Sequence, residues 1–257
     1  MSSPNAEIVR SQVGDLPCVQ IQLLNDQEEL VTPQLLVVLC HGYGAGGEDL
    51  VPCAGELLSC LPHELRPKVR FLFPAAPLVL SEMYGMDSRA WWPIDMAELE
   101  RAMQSGTFRE MRNNDVPEMD NAREKLRACI SEVLEQQNLT WSQTILGGFS
   151  QGSMVTTDLA IDLEQRPAGL IVWSGTVIRQ PRWTAAVEAA PLRIPTVQSH
   201  GRQDTVLPFA GAELLRDLLT KAKADVQFLP FDGPHTISPE AITAAAKLIG
   251  DLVSQST

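Results

Sequence analysis

The pentad Gly148-Phe149-Ser150-Gln151-Gly152 follows the run Thr144–Gly147 and precedes a helical stretch, Gln151–Leu163. A strand that turns sharply into a helix forces its turn residue into strained backbone geometry, and glycines two before and two after relieve the crowding. The serine hydroxyl then stands above a sheet, and the helix N-terminus supplies N–H groups and the positive end of its dipole. A plain glycine-rich turn with an N-cap serine is the bland alternative. Serine is a poor nucleophile near neutral pH, so the chemical reading requires a base, and a partner to orient that base.

Four histidines are present, at 41, 63, 200 and 235. His63 sits in LPHELRP, which reads as a solvated surface loop. His41 and His200 each precede a glycine at the end of an expected strand, the wrong places in chain order for the base. His235 lies in Asp232-Gly233-Pro234-His235-Thr236, after the last expected strand. A loop at that end of the sheet can bring its imidazole over Ser150. The acid should fall between the two. Asp204 of Gly201-Arg202-Gln203-Asp204 is placed to accept the imidazole Nδ1–H and stabilise the imidazolium. Asp232 competes, but three residues from His235 it reads better as a turn former or solvated carboxylate. The order is then Ser150, Asp204, His235.

An acyl-transfer site also needs donors for the oxyanion. His41-Gly42-Tyr43-Gly44-Ala45-Gly46-Gly47 follows LLVVLC, and its glycines let the backbone aim an N–H at a reacting carbonyl. The expected donors are the backbone N–H groups of Tyr43 and Gln151. A phosphate-binding reading is weaker, since GYGAGG lacks a lysine and GxGxxG spacing.

The elements that must position these residues are legible as hydrophobic patterns. Strands are expected at about 18–24, 34–40, 69–73, 143–149, 168–174, 194–199 and 225–231. Several are apolar on both faces, which suits a sheet covered by helices on each side. Residues 119–134 and 210–223 have helical periodicity, and the last helix starts at Ser238-Pro239-Glu240. The alternation predicts an α/β fold with a mostly parallel central sheet and helices on both faces. The simplest parse is a single domain over 1–257. About 75–118 is too long for a plain connection and reads as a lid or substrate wall, the alternative being a plain excursion with a short helix near 94–105 stopped by Gly106. Met83, Met86, Met96, Met103 and Met111 lie in it. So do Trp91 and Trp92, which are expected to bind substrate, with a buried structural pair as the alternative.

The motifs Leu39-Cys40-His41-Gly42-Tyr43-Gly44, Gly147-Gly148-Phe149-Ser150-Gln151-Gly152, His200-Gly201-Arg202-Gln203-Asp204 and the His235 loop resemble the phospholipase/carboxylesterase family of the α/β-hydrolase superfamily. That family includes acyl-protein thioesterases, lysophospholipases and small bacterial carboxylesterases. The similarity spans roughly 34–250, and Ala90-Trp91-Trp92-Pro93-Ile94-Asp95 is similar to the family's aromatic motif beside the acyl site. The resemblance implies Ser150 as nucleophile, Asp204 as acid, His235 as base and Tyr43 and Gln151 at the oxyanion. Ser153 and Pro234 depart from the family pattern, glycine being usual at both places, and 95–118 does not match its loop closely.

The chain has 257 residues, 20 of them basic and 32 acidic, for a net charge of −12. Such a surface would not displace counterions from a phosphate backbone, so no nucleic-acid partner is expected. No apolar run approaches the ~18 residues of a membrane span, and MSSPNAEIVR has neither the basic nor the apolar region of a signal peptide. Cysteines 18, 40, 53, 60 and 129 include no CxxC pair and read as reduced thiols of a cytoplasmic protein. The expected activity is a serine hydrolase that cleaves a small-molecule ester, thioester or lysophospholipid through an acyl-serine, with no cofactor and no metal. A homodimer is left open. The alternative is a hydrolase-fold binding protein without catalysis, and perhydrolysis or acyl transfer could use the same residues.

Overall fold

The computed structural model describes residues 5–80, 87–95, 97, 101, 113 and 115–255. The chain opens with an antiparallel hairpin, β1 (Ala6–Val13) and β2 (Leu16–Leu23), turned at Gly14 with φ +54°. Then follow β3 (Leu35–Cys40), α1 (Val51–Ser59), a 3₁₀ turn over His63–Lys68, and β4 (Val69–Pro74). A two-residue pair, β5 (Leu78–Val79) with β6 (Arg89–Ala90), precedes α2 (Pro117–Gln137). The remainder alternates: β7 (Thr144–Phe149), α3 (Gln151–Asp162), β8 (Gly169–Trp173), α4 (Gln180–Ala189), β9 (Pro195–Gly201), α5 (Phe209–Lys221), β10 (Asp225–Phe231) and α6 (Pro239–Gln255).

Eight strands form one sheet in the order β1-β2-β4-β3-β7-β8-β9-β10. The first two pairings are antiparallel and the rest parallel. This is the expected α/β-hydrolase arrangement, a mostly parallel sheet with helices on both faces. Alternation along β3 shows how it is built. Leu36, Val38 and Cys40 face a core shared with α2, α3, α4 and α5, while Leu35, Val37 and Leu39 face a second core under α1 and α6. Every residue of β3 is buried, so the strand reads as a continuous apolar run.

All seven expected strands are present. The structure adds β1, β5 and β6, and the helices α1 and α4. His63 lies on the 3₁₀ turn with an exposed side chain. Met83, Met86, Met96, Met103, Met111 and Gly106 lie outside the described residues, and with them most of the helix expected at 94–105. Among the described residues no helix is long and apolar enough to cross a membrane.

The connectivity reverses beside β3: β4 pairs on one side of it and β7 on the other. Where strand order reverses, the loops leaving adjacent carboxyl ends diverge and open a crevice. His41-Gly42 leaves β3 and Ser150 leaves β7 at that point.

The helix behind Ser150 is fixed by charge as well as by packing. α3 is buried along nearly its whole length, including Asp158. The Arg123 Nη1 of α2 donates to Asp158 Oδ2 at 2.8 Å, and the Trp183 indole of α4 donates to Asp158 Oδ1 at 2.6 Å. Removing one member of a buried pair leaves the other charge uncompensated. Asp158→Asn should therefore cost about 3 kcal/mol, toward the low end because Arg123 keeps Asp120. Urea unfolding at unchanged m-value checks this, and a loss under about 1 kcal/mol would show the pair to be solvent-screened.

Candidate active site

Ser150 occupies the turn between β7 and α3 with φ +53° and ψ −121°, a conformation that strains any residue with a Cβ. Its N–H donates to the Trp173 carbonyl of β8 at 2.8 Å, and its own carbonyl accepts from the Ser153 hydroxyl at 2.7 Å. Ser153 thus fastens the turn where a glycine could not. The flanking glycines answer a space requirement. A Cβ on Gly152 would lie 2.0 Å from the Cys40 carbonyl oxygen, and one on Gly148 would lie 2.5 Å from the same atom. The carboxyl end of β3 is laid directly against the turn, and only hydrogen side chains admit it.

That contact brings the His41–Gly47 loop beside Ser150. A Cβ on Gly42 would sit 3.3 Å from the Ser150 Cβ, so the loop passes in van der Waals contact with the serine. His41 is buried and holds the loop. The Ala76 N–H donates to its Nε2 at 3.0 Å, so Nδ1 carries the hydrogen and donates to the Gly42 carbonyl at 2.8 Å. Burial lowers the basicity of His41, against smaller opposing contributions that include the Gly42 hydrogen bond. Tyr43 is half-buried in this loop, and Gln151 opens α3, where backbone donors have no intrahelical acceptor.

Trp91 and Trp92 are 1% and 5% exposed, inside the core that contains α2 and α3. The Trp91 indole donates to the His41 carbonyl at 2.9 Å. The Gln151 amide clamps the pair, accepting from the Trp91 N–H at 2.9 Å and donating to the Trp92 carbonyl at 2.8 Å. The described contacts of this pair are therefore structural: they tie the 89–92 segment to the serine turn and to the glycine loop. Neither the Gln151 side chain nor His41 stood out in the sequence as a support. Their partners are backbone groups, all but Gly42 far along the chain, and no residue pattern announces those.

Asp204 and His235 meet. The His235 Nδ1 lies 2.6 Å from Asp204 Oδ2, and the carboxylate side chain is fully buried. Asp204 Oδ1 accepts the N–H groups of Val206 and Leu207, both at 2.8 Å. Burial pushes the Asp204 carboxyl up, but the hydrogen bonds from His200, His235 and the Leu207 N–H outweigh it and hold the group well below the usual carboxylate range. Asp232 is 85% exposed with Arg202 3.8 Å away, a solvated side chain. The Phe149 ring packs against the His235 imidazole, centroids 4.7 Å apart, which sets the histidine next to the serine turn.

The two loops that carry acid and base are joined backbone to backbone. Arg202 and Gln203 donate their N–H groups to the carbonyls of Phe231 and Gly233 at 2.8 and 3.0 Å. A Cβ on Gly201 would lie 2.3 Å from the carbonyl oxygens of Gly233 and Pro234. These ties use carbonyls of the histidine loop, so the missing N–H of Pro234 removes nothing from them.

The sequence profile of the phospholipase/carboxylesterase family matches residues 27–252. The chain is 23% identical over 228 residues to acyl-protein thioesterase 1 of Debaryomyces hansenii, covering 85% of this chain and 91% of that protein. It is 26% identical over 223 residues to acyl-protein thioesterase 1 of Eremothecium gossypii, covering 82% and 85%. Among solved structures, the Bacillus cereus carboxylesterase superposes with a TM-score of 0.68 at 16% identity, covering 92% of this chain and 94% of that one.

The depressed Asp204 carboxyl has a consequence for stability. A carboxylate whose folded value lies below its unfolded value of about 3.9 stabilises the fold fully above that value, and the contribution drains away as pH falls toward the folded one. The stability gap between the parent and Asp204→Asn should thus shrink as pH falls below about 4. Urea unfolding at a series of pH values reads this gap, and a gap that persists unchanged into strong acid would contradict the assignment.

Proposed function

The chain belongs to the phospholipase/carboxylesterase family, and from that membership we propose that it hydrolyses carboxylic esters through an acyl intermediate on Ser150. The hydrogen of His235 Nδ1 is engaged by Asp204 at 2.6 Å, which leaves the Nε2 lone pair as the site for a proton. That buried carboxylate–imidazole pair, packed through Phe149 against a strained serine turn, is the observation that carries the reading.

In the proposed reaction His235 Nε2 takes the Ser150 proton as Oγ bonds to the carbonyl carbon, and the carbonyl π electrons move onto oxygen. The backbone N–H groups of Gln151 and Tyr43 hold that oxyanion, and loss of one such donor typically costs about 3 kcal/mol of barrier. Collapse of the adduct breaks the bond to the leaving alcohol or thiolate, which takes the proton from His235. Water then repeats the sequence: His235 removes its proton, hydroxide adds to the acyl carbon, and Ser150 leaves with the proton returned. Asp204 stays ionised throughout and stabilises the imidazolium. No step draws on a metal or an organic cofactor.

The relatives named as acyl-protein thioesterases support a thiol leaving group beside an alcohol, and the substrate class is an acyl ester or thioester of a small molecule. Trp91 and Trp92 act in this reading by positioning the Gln151 clamp and the His41 carbonyl, with the acyl chain running past the 89–92 segment.

Hydrolysis of a p-nitrophenyl ester by purified variants tests the proposal. Ser150→Ala should lower kcat by roughly 10⁴–10⁶ while the protein keeps its fold, and it should lose labelling by a fluorophosphonate. Asp204→Asn should lose up to about 10⁴, because the amide favours the wrong imidazole tautomer, whereas the exposed Asp232→Asn should stay near the parent. Ser150→Ala activity within tenfold of the parent would remove the serine from the mechanism. The reverse ranking of the two aspartates would reassign the acid.

A further inference from the structure

His200, like His41, stands at the wrong place in chain order for the base. Its side chain is fully buried on β9, yet it reaches the same carboxylate. Its Nε2 lies 2.8 Å from the Leu207 carbonyl oxygen and 3.2 Å from Asp204 Oδ2. A carbonyl oxygen only accepts, so Nε2 carries the hydrogen; it is given to Leu207, and Asp204 Oδ2 stands close enough to draw on the same N–H as a second, longer contact. The ring makes a T-shaped contact with Phe209, centroids 6.1 Å apart.

The donors around Asp204 therefore fall into two pairs. Oδ1 takes two backbone N–H groups, and Oδ2 takes His235 at 2.6 Å with His200 Nε2 beside it at 3.2 Å. A carboxylate offers about four lone-pair directions, and here two donor nitrogens stand at each oxygen. The backbone pair anchors one oxygen to the 204–207 turn. The plane of the carboxylate, and so the direction from which it receives His235, is then set at the other oxygen.

We infer that His200 is a positioning residue for the proposed reaction: it shares Asp204 Oδ2 with His235, fixes the carboxylate plane toward the base, and takes up part of its hydrogen-bonding capacity. Without that second donor the whole of Oδ2 falls to His235 and the carboxylate loses one of its restraints. Chemistry slows because the imidazole no longer holds its orientation at the serine, while substrate contacts are untouched. The inference rests on the reading of Ser150, Asp204 and His235 given above.

The test is His200→Leu, with His200→Gln as the variant that returns a donor near the Nε2 position. Turnover is normalised to sites titrated by a fluorophosphonate. His200→Leu should lower kcat about 10–100-fold, the order of effect seen for residues that orient a metal's ligands, with KM within about threefold. His200→Gln should recover most of that loss. In proton NMR, the low-field signal of the His235 Nδ1 hydrogen should move further downfield in His200→Leu, because Oδ2 is no longer shared. If His200→Leu fails to fold, His200→Asn takes its place, since its shorter amide stays polar but stops short of Oδ2. A folded variant with kcat within threefold of the parent overturns the inference. So does a loss that Gln does not recover with the low-field signal unmoved, which would make His200 scaffold for the Leu207 turn alone. Full activity in Asp204→Asn would instead remove the underlying reading, so the two failures are distinct.

Discussion

The site depends on one close approach: the carboxyl end of β3 lies against the turn between β7 and α3. The Cys40 carbonyl oxygen occupies the space that side chains at 148 and 152 would need. This contact does two things at once. It presses the turn into the left-handed conformation at Ser150, of order 1–3 kcal/mol of strain in such cases, and it carries the glycine loop after β3 to the serine. The strain is sustained by what surrounds it. The Trp173 carbonyl, the Ser153 hydroxyl and a helix buried on all sides leave the turn no room to relax.

Acid and base are held by a different device. Neither β9 nor β10 touches Ser150 through its ladder, so their loops must be fastened to one another and then to the turn. The Arg202 and Gln203 amides make the first tie, and the Phe149 ring on the imidazole makes the second. The Asp204 carboxylate is buried and held by three hydrogen bonds with His200 close by, so it stays ionised at the pH of catalysis in the proposed reaction. An unpaired charge at that depth would be costly, which explains why the loop supplies two backbone amides before any side chain is counted.

The central strands were readable because both their faces are buried, which leaves uninterrupted runs such as LLVVLC. β1 was not, because it is an edge strand of mostly exposed residues, AEIVRSQV, whose pairing with β2 supplies what its own composition lacks. Asp204 and His235 were readable from chain order and from their places at strand ends, and the structure brings them into contact. The supports behind them were hidden. Gln151 holds two tryptophans through their backbone, and His200 reaches Asp204 four residues on only because β9 ends in a turn that folds back over it. Backbone partners carry no residue-type signal, so a sequence displays the chemical groups before it displays what holds them.

The account stands or falls on a covalent acyl group at Ser150. Turnover of p-nitrophenyl acetate, stopped in acid within the first cycles and followed by peptide mass mapping, tests it directly. The predicted result is an acetyl group on the peptide containing Ser150, absent from the Ser150→Ala protein. Steady turnover with an unmodified Ser150 peptide, or with the acetyl group on a cysteine thiol instead, would contradict it.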